Sequence, residues 1–133
     1  AFKFTADGEI EWIQNVPKRQ VSTNDGGPYS SYAFYIDGSS VNLIFNDSKE
    51  NYSEAGQYIK DKLYVTSFAK KNNVVAHVKI DLYSGLTSRD LLTSRKEIGT
   101  LVQPKLFTLD EVNKEMIVFS VFKSKERFGV IKF

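Results

Sequence analysis

Short segments in which apolar and polar residues alternate, each followed by a turn sequence, run along the whole chain. The turn signals include Asp7-Gly8, Asp37-Gly38 and Tyr83-Ser84-Gly85, because glycine adopts positive φ without strain and aspartate bonds its own backbone. No stretch has the spacing of a convincing amphipathic helix. Since alternate side chains share one face of a strand, the pattern predicts an all-β fold of about ten strands in antiparallel meanders.

Three hairpins account for much of this prediction. They pair Phe2–Thr5 with Glu9–Val16, Tyr29–Ile36 with Val41–Asn46, and Met116–Phe122 with Arg127–Phe133. The other predicted strands are Leu63–Ala69, Val74–Leu82 and Val102–Leu109. Leu86–Ile98 fits either a short helix or an edge strand, and the polar stretch Asp47–Lys60 is predicted to leave the sheet with one helical turn around Ser53–Tyr58.

The same alternation predicts which side chains form the core. Aromatic residues make up 14% of the chain, and together with many Val, Ile and Thr they are typical of β-sheets. The residues expected to be buried are Trp12, Phe34, Phe45, Val78, Ile80, Val118 and Phe119.

Charge and composition exclude several classes of protein. Lys plus Arg number 18 against 16 Asp plus Glu, so the net charge of +2 lacks the basic surplus typical of a nucleic-acid binder. No apolar run approaches the ~18 residues of a membrane-spanning helix. Cysteine is absent, which excludes disulfides and thiolate sites. We therefore expect neither nucleic acid as a partner nor a membrane span.

The layout of one half of the chain is similar to that of the other. Tyr29–Asn46 and Lys105–Phe122 both read as a strand, an acidic turn and a strongly apolar strand. Their spacing of about 75 residues exceeds the ~40–50 residues of a propeller blade, and the polar stretch Asp47–Lys60 would account for much of the excess. The order predicts the end of one blade, one full blade and most of another.

Several motifs carry a resemblance to a known group of proteins. They are Asp7-Gly8-Glu9-Ile10-Glu11-Trp12, Pro17-Lys18-x-Gln20, Leu43-Ile44-Phe45-Asn46-Asp47 and Arg127-Phe128-Gly129-Val130-Ile131. This set resembles the C-terminal part of uncharacterised β-propeller-like secreted or envelope proteins of the Bacteroidota. The resemblance implies a partial β-propeller of about two to three blades, with residues 1–133 forming one all-β domain or a C-terminal fragment. It also implies secretion or a place in the cell envelope, in the periplasm or on the outer-membrane surface. A β-sandwich is the alternative fold.

Candidate ligand-binding residues cluster around the polar stretch. Asn46 and Asp47 begin a run rich in side-chain oxygens at a strand exit, but the glycine and closing glutamate of a calcium loop are missing, so a polar turn is the favoured interpretation. Exposed tyrosines form the rims of many glycan and protein sites, which adds Tyr29, Tyr52 and Tyr58 to the candidates.

No motif for catalysis, a metal or a cofactor stands out. His77 is the only histidine and should point opposite to Val74, Ala76, Val78 and Ile80, so a structural role is expected. We therefore predict a non-catalytic binding or scaffolding module with no cofactor. The alternative is a glycan-active enzyme of the glycoside hydrolase type or a carbohydrate-binding module, with a glycan as ligand in either case.

Both ends of the sequence lie in predicted strands. Arg127–Phe133 alternates without a polar cap, and such an edge invites another strand. We expect the terminal strands to pair with missing blades of the same protein, a second copy or a partner protein. The alternative is that Phe2–Thr5 pairs directly with Arg127–Phe133.

Overall fold

A computed structural model describes residues 1–24 and 26–132. Strands hold 50% of the residues and helices 8%, and the large sheets are antiparallel, so the prediction of an all-β fold is confirmed. The strands are β1 (Phe2–Phe4), β2 (Ile10–Ile13), β3 (Gln20–Val21), β4 (Ala33–Asp37), β5 (Ser40–Ser48), β6 (Thr66–Ser67), β7 (Asn73–Asp81), β8 (Thr87–Ser94), β9 (Leu101–Val102), β10 (Thr108–Asp110), β11 (Glu115–Phe122) and β12 (Lys125–Lys132). Helix α1 (Arg95–Ile98) and the 3₁₀ helices Lys49–Asn51 and Pro104–Leu106 are the helical elements of the described residues.

A four-stranded antiparallel sheet with the order β4-β5-β7-β8 forms the centre of the molecule. The long strands β5 and β7 pair along their whole length, from Ser40 opposite Asp81 to Ser48 opposite Asn73. Because side chains alternate along each strand, this sheet presents two separate faces, and both are covered.

The first face packs against a second sheet. That sheet has the order β10-β11-β12, with β9 also paired to β11. The buried residues of this layer come from both sheets: Ala33, Tyr35, Ile44, Val75, Val102 and Met116. Val118 and Ile131 pack against them from β11 and β12.

The opposite face of the central sheet is covered by irregular chain and a small hairpin. Its buried residues are Phe45, Tyr52, Val74, Ala76, Val78 and Ile80. Trp12 of the β1-β2 hairpin, Val16 and Tyr58 pack against this layer from outside the sheet. The polar stretch that the sequence places outside the sheet therefore returns to cover it.

The predicted core is correct in its centre and wrong at one edge. Phe45, Val78 and Ile80 are buried as expected, whereas Trp12, Val118 and Phe119 are only partly buried. The prediction for Phe34 is wrong, because this side chain is 61% exposed. It lies on edge strand β4 opposite Leu43, and the covering layer reaches Leu43 but not the edge.

Two local predictions also need correction. The helical turn expected around Ser53–Tyr58 lies earlier, at Lys49–Asn51, where the Ser48 hydroxyl accepts a hydrogen bond from the Glu50 N–H. Leu86–Ile98 is both a strand and a helix, because a capping box at Ser94 ends β8 and begins α1.

The hairpin of the last two strands is confirmed as β11 and β12. Phe133, at the end of the predicted strand Arg127–Phe133, lies outside the described residues. Among the described residues β1 pairs with β2 alone, and no helix is long and apolar enough to cross a membrane.

Candidate functional site

A buried ion pair joins β5 to β8 beneath the irregular layer. Asp47 follows Phe45 on the same face of β5, and Arg89 occupies the position of β8 opposite Val78. The Arg89 guanidinium donates a hydrogen bond to Asp47 Oδ2, and the two side chains are 6% and 0% exposed. A charge pair buried to this extent is stable only when its remaining polar atoms also have partners.

The carboxylate of Asp47 has protein donors at both oxygens. Oδ1 accepts hydrogen bonds from the Asn51 amide at 2.7 Å, the Ser48 N–H at 2.8 Å and the Thr66 hydroxyl at 3.3 Å. Oδ2 accepts from the Tyr52 hydroxyl at 2.9 Å as well as from Arg89. Asp47 is therefore a structural anchor of the irregular layer.

Arg89 is held on several sides. Its Nε donates to the Tyr52 hydroxyl at 3.0 Å, and a terminal nitrogen donates to the Pro17 carbonyl at 2.7 Å. The guanidinium carbon lies 4.1 Å from the centroid of the Tyr58 ring, in the range of a cation–π contact. These contacts fix Arg89 and Tyr58 relative to each other.

The protonation states of this cluster follow from its contacts. Burial alone would lower the pKa of Arg89, but the Asp47 charge and the Tyr52 hydroxyl together raise it above its usual value. Burial, assisted by the Asp47 charge, raises the pKa of Tyr52 above its usual range. Arg89 therefore stays cationic and Tyr52 stays a neutral phenol that donates to Asp47.

A second polar network lies beside this cluster and leads to the other face of β5. Lys18 Nζ donates to Gln20 Oε1 at 2.7 Å, and the Gln20 amide donates to the Asn46 carbonyl at 2.7 Å. The Asn46 amide in turn donates to the carbonyls of Tyr29 at 3.0 Å and Val102 at 2.8 Å. Burial lowers the pKa of Lys18, while the charge of Asp47 opposes that shift.

A cavity of about 550 Å³ opens next to Arg89 and Tyr58. It is bounded by the segment after β2, by the irregular layer and by β8. Its lining comprises Gln14, Asn15, Val16, Pro17, Ala55, Gly56, Gln57, Tyr58, Lys60, Val78, Thr87, Arg89 and Asp90. This volume lies within the range of small-molecule sites, which is about 300–1,000 Å³.

The structure separates the five candidates from the sequence into two groups. Asp47, Tyr52 and Tyr58 meet at Arg89, and of the five only Tyr58 lines the cavity. Asn46 lies on the opposite face of β5, where its amide bonds the Tyr29 carbonyl. The Tyr29 ring packs on Phe68 with 5.6 Å between centroids. That any of the five binds a ligand stays a prediction.

Sequence reasoning did not single out Arg89, although a signal exists. Arg89 and Leu91 are two residues apart, so a strand at this point places the guanidinium on the same face as an apolar side chain. A lone arginine at an inward position requires a buried partner. The ambiguity between helix and strand over Leu86–Ile98 concealed this spacing.

The cavity has few groups suited to acid–base chemistry. Asp90 is the one acidic residue among its described lining residues, but it lies opposite His77, so its side chain is on the other face of β8 from Arg89. Asp47 is enclosed by donors. His77 lies on the other face of β7 and contacts Asn42 Oδ1 through Nε2 at 2.8 Å. Within residues 1–24 and 26–132, no group of three or more His, Cys, Asp or Glu side chains is placed to hold a metal ion.

Comparison of this chain with protein-family models, with curated proteins and with solved structures found no match.

Proposed function

We propose that this chain is a non-catalytic binding module and that the cavity beside Arg89 takes an uncharged, hydroxyl-rich ligand, a glycan. The observation that carries the proposal is a cavity of about 550 Å³ lined by side-chain amides and one aromatic ring. At its base lies Arg89, whose charge is neutralised by Asp47. Pre-formed concave sites of this size are the usual location of small-ligand binding.

The lining favours a neutral ligand over an anion. Arg89 lies at the base of the cavity, but its charge is balanced by Asp47. Its nitrogens already donate hydrogen bonds to acceptors of the protein. Lys60 is exposed to solvent, and Asp90, opposite His77, directs its side chain to the other face of β8. The ligand is therefore recognised by hydrogen bonds and ring contact rather than by net charge.

Amide and hydroxyl groups suit the hydroxyls of a sugar. Gln14, Asn15 and Gln57 each offer a donor and an acceptor, and Thr87, on the same face of β8 as Arg89, offers a hydroxyl. Tyr58 supplies an aromatic wall, which packs well on the apolar faces of sugar rings. An enzyme that cleaves glycosides commonly needs two carboxylates across the bond, and the one acidic residue among the described lining residues, Asp90, has its side chain on the other face of β8, so binding is the better-supported function.

Isothermal titration calorimetry against a panel of neutral oligosaccharides tests the proposal. We expect saturable binding by the wild-type chain and a loss of about tenfold in affinity for Gln57→Ala, because its amide can make two hydrogen bonds of about 0.5–1.5 kcal/mol each. Gln14→Ala should also weaken binding.

A matched control is Gln103→Ala, which removes the same amide before the 3₁₀ helix Pro104–Leu106, outside the lining of this cavity. Its affinity should equal that of the wild type. No binding to any member of the panel contradicts the proposal, and so does equal affinity for Gln57→Ala and wild type. Release of shorter sugars on incubation favours the enzyme instead.

We also propose that the chain is the C-terminal part of a secreted or envelope β-propeller of about two to three visible blades. What supports this is the meander β4-β5-β7-β8, since four-stranded antiparallel meanders are the blades of propellers. The sheet β10-β11-β12 packs face to face on this meander. The similar segments also correspond to similar elements: Tyr29–Asn46 contains β4 and most of β5, and Lys105–Phe122 contains β10 and β11.

A structure of the full-length gene product tests the propeller. Further four-stranded sheets arranged around one axis are expected, and their absence contradicts this proposal. Fractionation of the host cells with an antibody to the chain tests the location. Recovery from the envelope or the medium is expected, and recovery from the cytosol alone contradicts it.

A further inference from the structure

The last strand of the second sheet has an unpaired long edge. Within the described residues β12 pairs only with β11, over the eight positions Lys125–Lys132. Nearly every residue of β12 is exposed, including Phe128 at 74% and Val130 at 53%. An exposed edge that is both long and apolar is a template for another strand.

The direction of its backbone groups follows from the neighbouring strands. The Phe119 carbonyl accepts a hydrogen bond from the Gln103 N–H at 2.9 Å, so the polar backbone groups of Phe119 point away from β12. Phe128, directly opposite Phe119, therefore directs its own N–H and C=O to the open edge. By alternation Glu126, Val130 and Lys132 do the same.

We propose that two copies of this chain form a homodimer by antiparallel pairing of their β12 strands about a two-fold axis at Gly129. In this register Phe128 lies opposite Val130 of the partner subunit, and Glu126 lies opposite Lys132 of the partner subunit. Each pair occurs twice because a two-fold interface is self-complementary. All the outward-directed backbone groups of the strand then find partners.

The sequence of β12 favours this register over its neighbours. Moving the axis by one residue in either direction, to Phe128 or to Val130, separates Glu126 from Lys132 of the partner subunit. Opposite charges and apolar pairs directly across an antiparallel ladder each contribute about 0.2–1 kcal/mol. Within its own chain Lys132 pairs with Glu115 of β11 at 3.1 Å, but its side chain is 80% exposed and borders the open edge. The added pairing of Glu126 with Lys132 favours a second copy as the occupant of the edge.

The surfaces on both sides of the edge suit an added strand. On the outer face Phe119 and Phe128 are in ring contact at 5.1 Å, and Ile117 and Val130 extend this apolar strip. On the inner face a slot of about 380 Å³ lies between β8 and β12, with Leu92, Ile98 and Ile131 in its lining. An incoming strand would cover apolar surface on both faces.

Size-exclusion chromatography with light scattering and sedimentation velocity test the dimer. The wild-type chain should have twice its mass of 15.1 kDa at high concentration and dissociate on dilution. Val130→Pro removes an N–H from the open edge and none from the β11 ladder, so a folded monomer is expected. Glu126→Lys should weaken the dimer about tenfold, because it places like charges opposite each other twice.

The exchanged pair is the decisive variant. Lys132→Glu alone should also weaken the dimer, and it places a like charge beside Glu115 of the same chain. Glu126→Lys combined with Lys132→Glu should bind more tightly than either single variant, because the pairs across the dimer form again with reversed charge, whereas the contact with Glu115 is not restored. Glu111→Lys, the same charge change in an exposed turn, should leave the dimer unchanged.

Three results would overturn the proposal. They are a monomer at every concentration reached, a dimer unaffected by Val130→Pro and both single charge reversals, and an open-ended oligomer. An unaffected dimer would indicate that another surface forms the dimer interface. An open-ended oligomer would indicate that β12 pairs with a strand other than β12 of a second copy. Circular dichroism of each variant verifies that it is folded.

Discussion

Arg89 connects the central sheet to the layer of irregular chain that covers it. Its guanidinium reaches Asp47 on β5, the Tyr52 hydroxyl and the Pro17 carbonyl, which belong to segments far apart in the sequence. Removing the cation would leave the Asp47 carboxylate buried without its counter-charge. An intact buried ion pair contributes little net stability, whereas loss of one partner leaves an uncompensated buried charge and is strongly destabilising.

Replacing Arg89 with methionine tests this dependence. Arg89→Met keeps the length of the side chain and should lower the free energy of unfolding at neutral pH by about 3–5 kcal/mol. Chemical denaturation monitored by tryptophan fluorescence measures it. Lys79→Met is the matched control, since Lys79 is paired with Asp37 at an exposed site and its loss should change stability by less than about 1 kcal/mol. Equal effects of the two variants would contradict the assignment.

His77 is a second residue whose surroundings set a measurable property. Its Nε2 donates to Asn42 Oδ1, because the Asn42 amide nitrogen already donates to Asp37 Oδ2. Burial lowers the pKa of His77 below its ordinary value of 6.5; Lys79 adds to this effect, and the charges of Asp90 and Asp37 oppose it. The folded protein therefore favours the neutral imidazole.

The sign of the pH dependence follows from that shift. When pH falls below about 6.5, the unfolded chain binds a proton at His77 before the folded chain does, so stability decreases towards the lower folded pKa. His77→Gln should flatten the stability profile below about pH 6.5. Asp81, Glu97 and Asp110 have lowered pKa values, so their contributions are lost only at lower pH. An unchanged slope in His77→Gln would disprove the shift.

At the scale of elements, hairpins were predictable where the turn chemistry is local. Asp7-Gly8 and Asp37-Gly38 mark the turns of β1-β2 and β4-β5 because the required backbone angles are encoded in the dipeptide itself. The strand predicted over Leu63–Ala69 consists of only the two residues of β6, since the length of a strand depends on the strand that pairs with it. The partner of β6 is β3, from a distant and polar part of the chain.

The turn after β7 illustrates a constraint that only the fold reveals. Gly85 has φ of +70°, and a Cβ atom there would lie 2.8 Å from Trp12 Cγ. Trp12 is held in place by a hydrogen bond from its ring nitrogen to the Leu82 carbonyl at 3.2 Å. The contact docks the β1-β2 hairpin on the central sheet.

Alanine substitution separates this contact from the cost of the backbone angle. Gly8 also has positive φ, at +87°, but a Cβ atom there meets nothing within 4 Å. Both variants should lose about 1 kcal/mol from the left-handed conformation, and Gly85→Ala should lose a further 1–3 kcal/mol, approximately, from the clash. Denaturant midpoints compare them, and equal losses would show that Trp12 moves aside freely.

At the scale of the whole molecule, the sequence predicted a β fold but not the arrangement of its layers. Alternation assigns Phe34 and Phe45 to faces of their strands, yet only packing decides which parts of a face are covered. The candidate site depends on the same step. Asp47, Tyr52 and Tyr58 were selected individually as polar or aromatic residues, whereas the cavity forms only when Arg89 of β8 and the segment after β2 meet them.

The two packed layers share one sheet, so we expect them to unfold together. Val74 and Val75 are neighbours on β7, but Val74 belongs to the layer with Phe45 and Val75 to the layer with Met116. Both valine side chains are buried. A disturbance on either face therefore acts on the same central strand.

Valine-to-alanine substitutions at these two positions test the cooperativity. Each removes two buried methyl groups, so each should lower the free energy of unfolding by about 2 kcal/mol. Both variants should shift the same single thermal transition, as tryptophan fluorescence and far-ultraviolet circular dichroism would both report. If the layers unfolded separately, Val75→Ala would leave the fluorescence transition in place, because Trp12 packs only on the layer of Val74. Coincident shifts by both probes would establish that the central sheet joins the two layers into one folding unit.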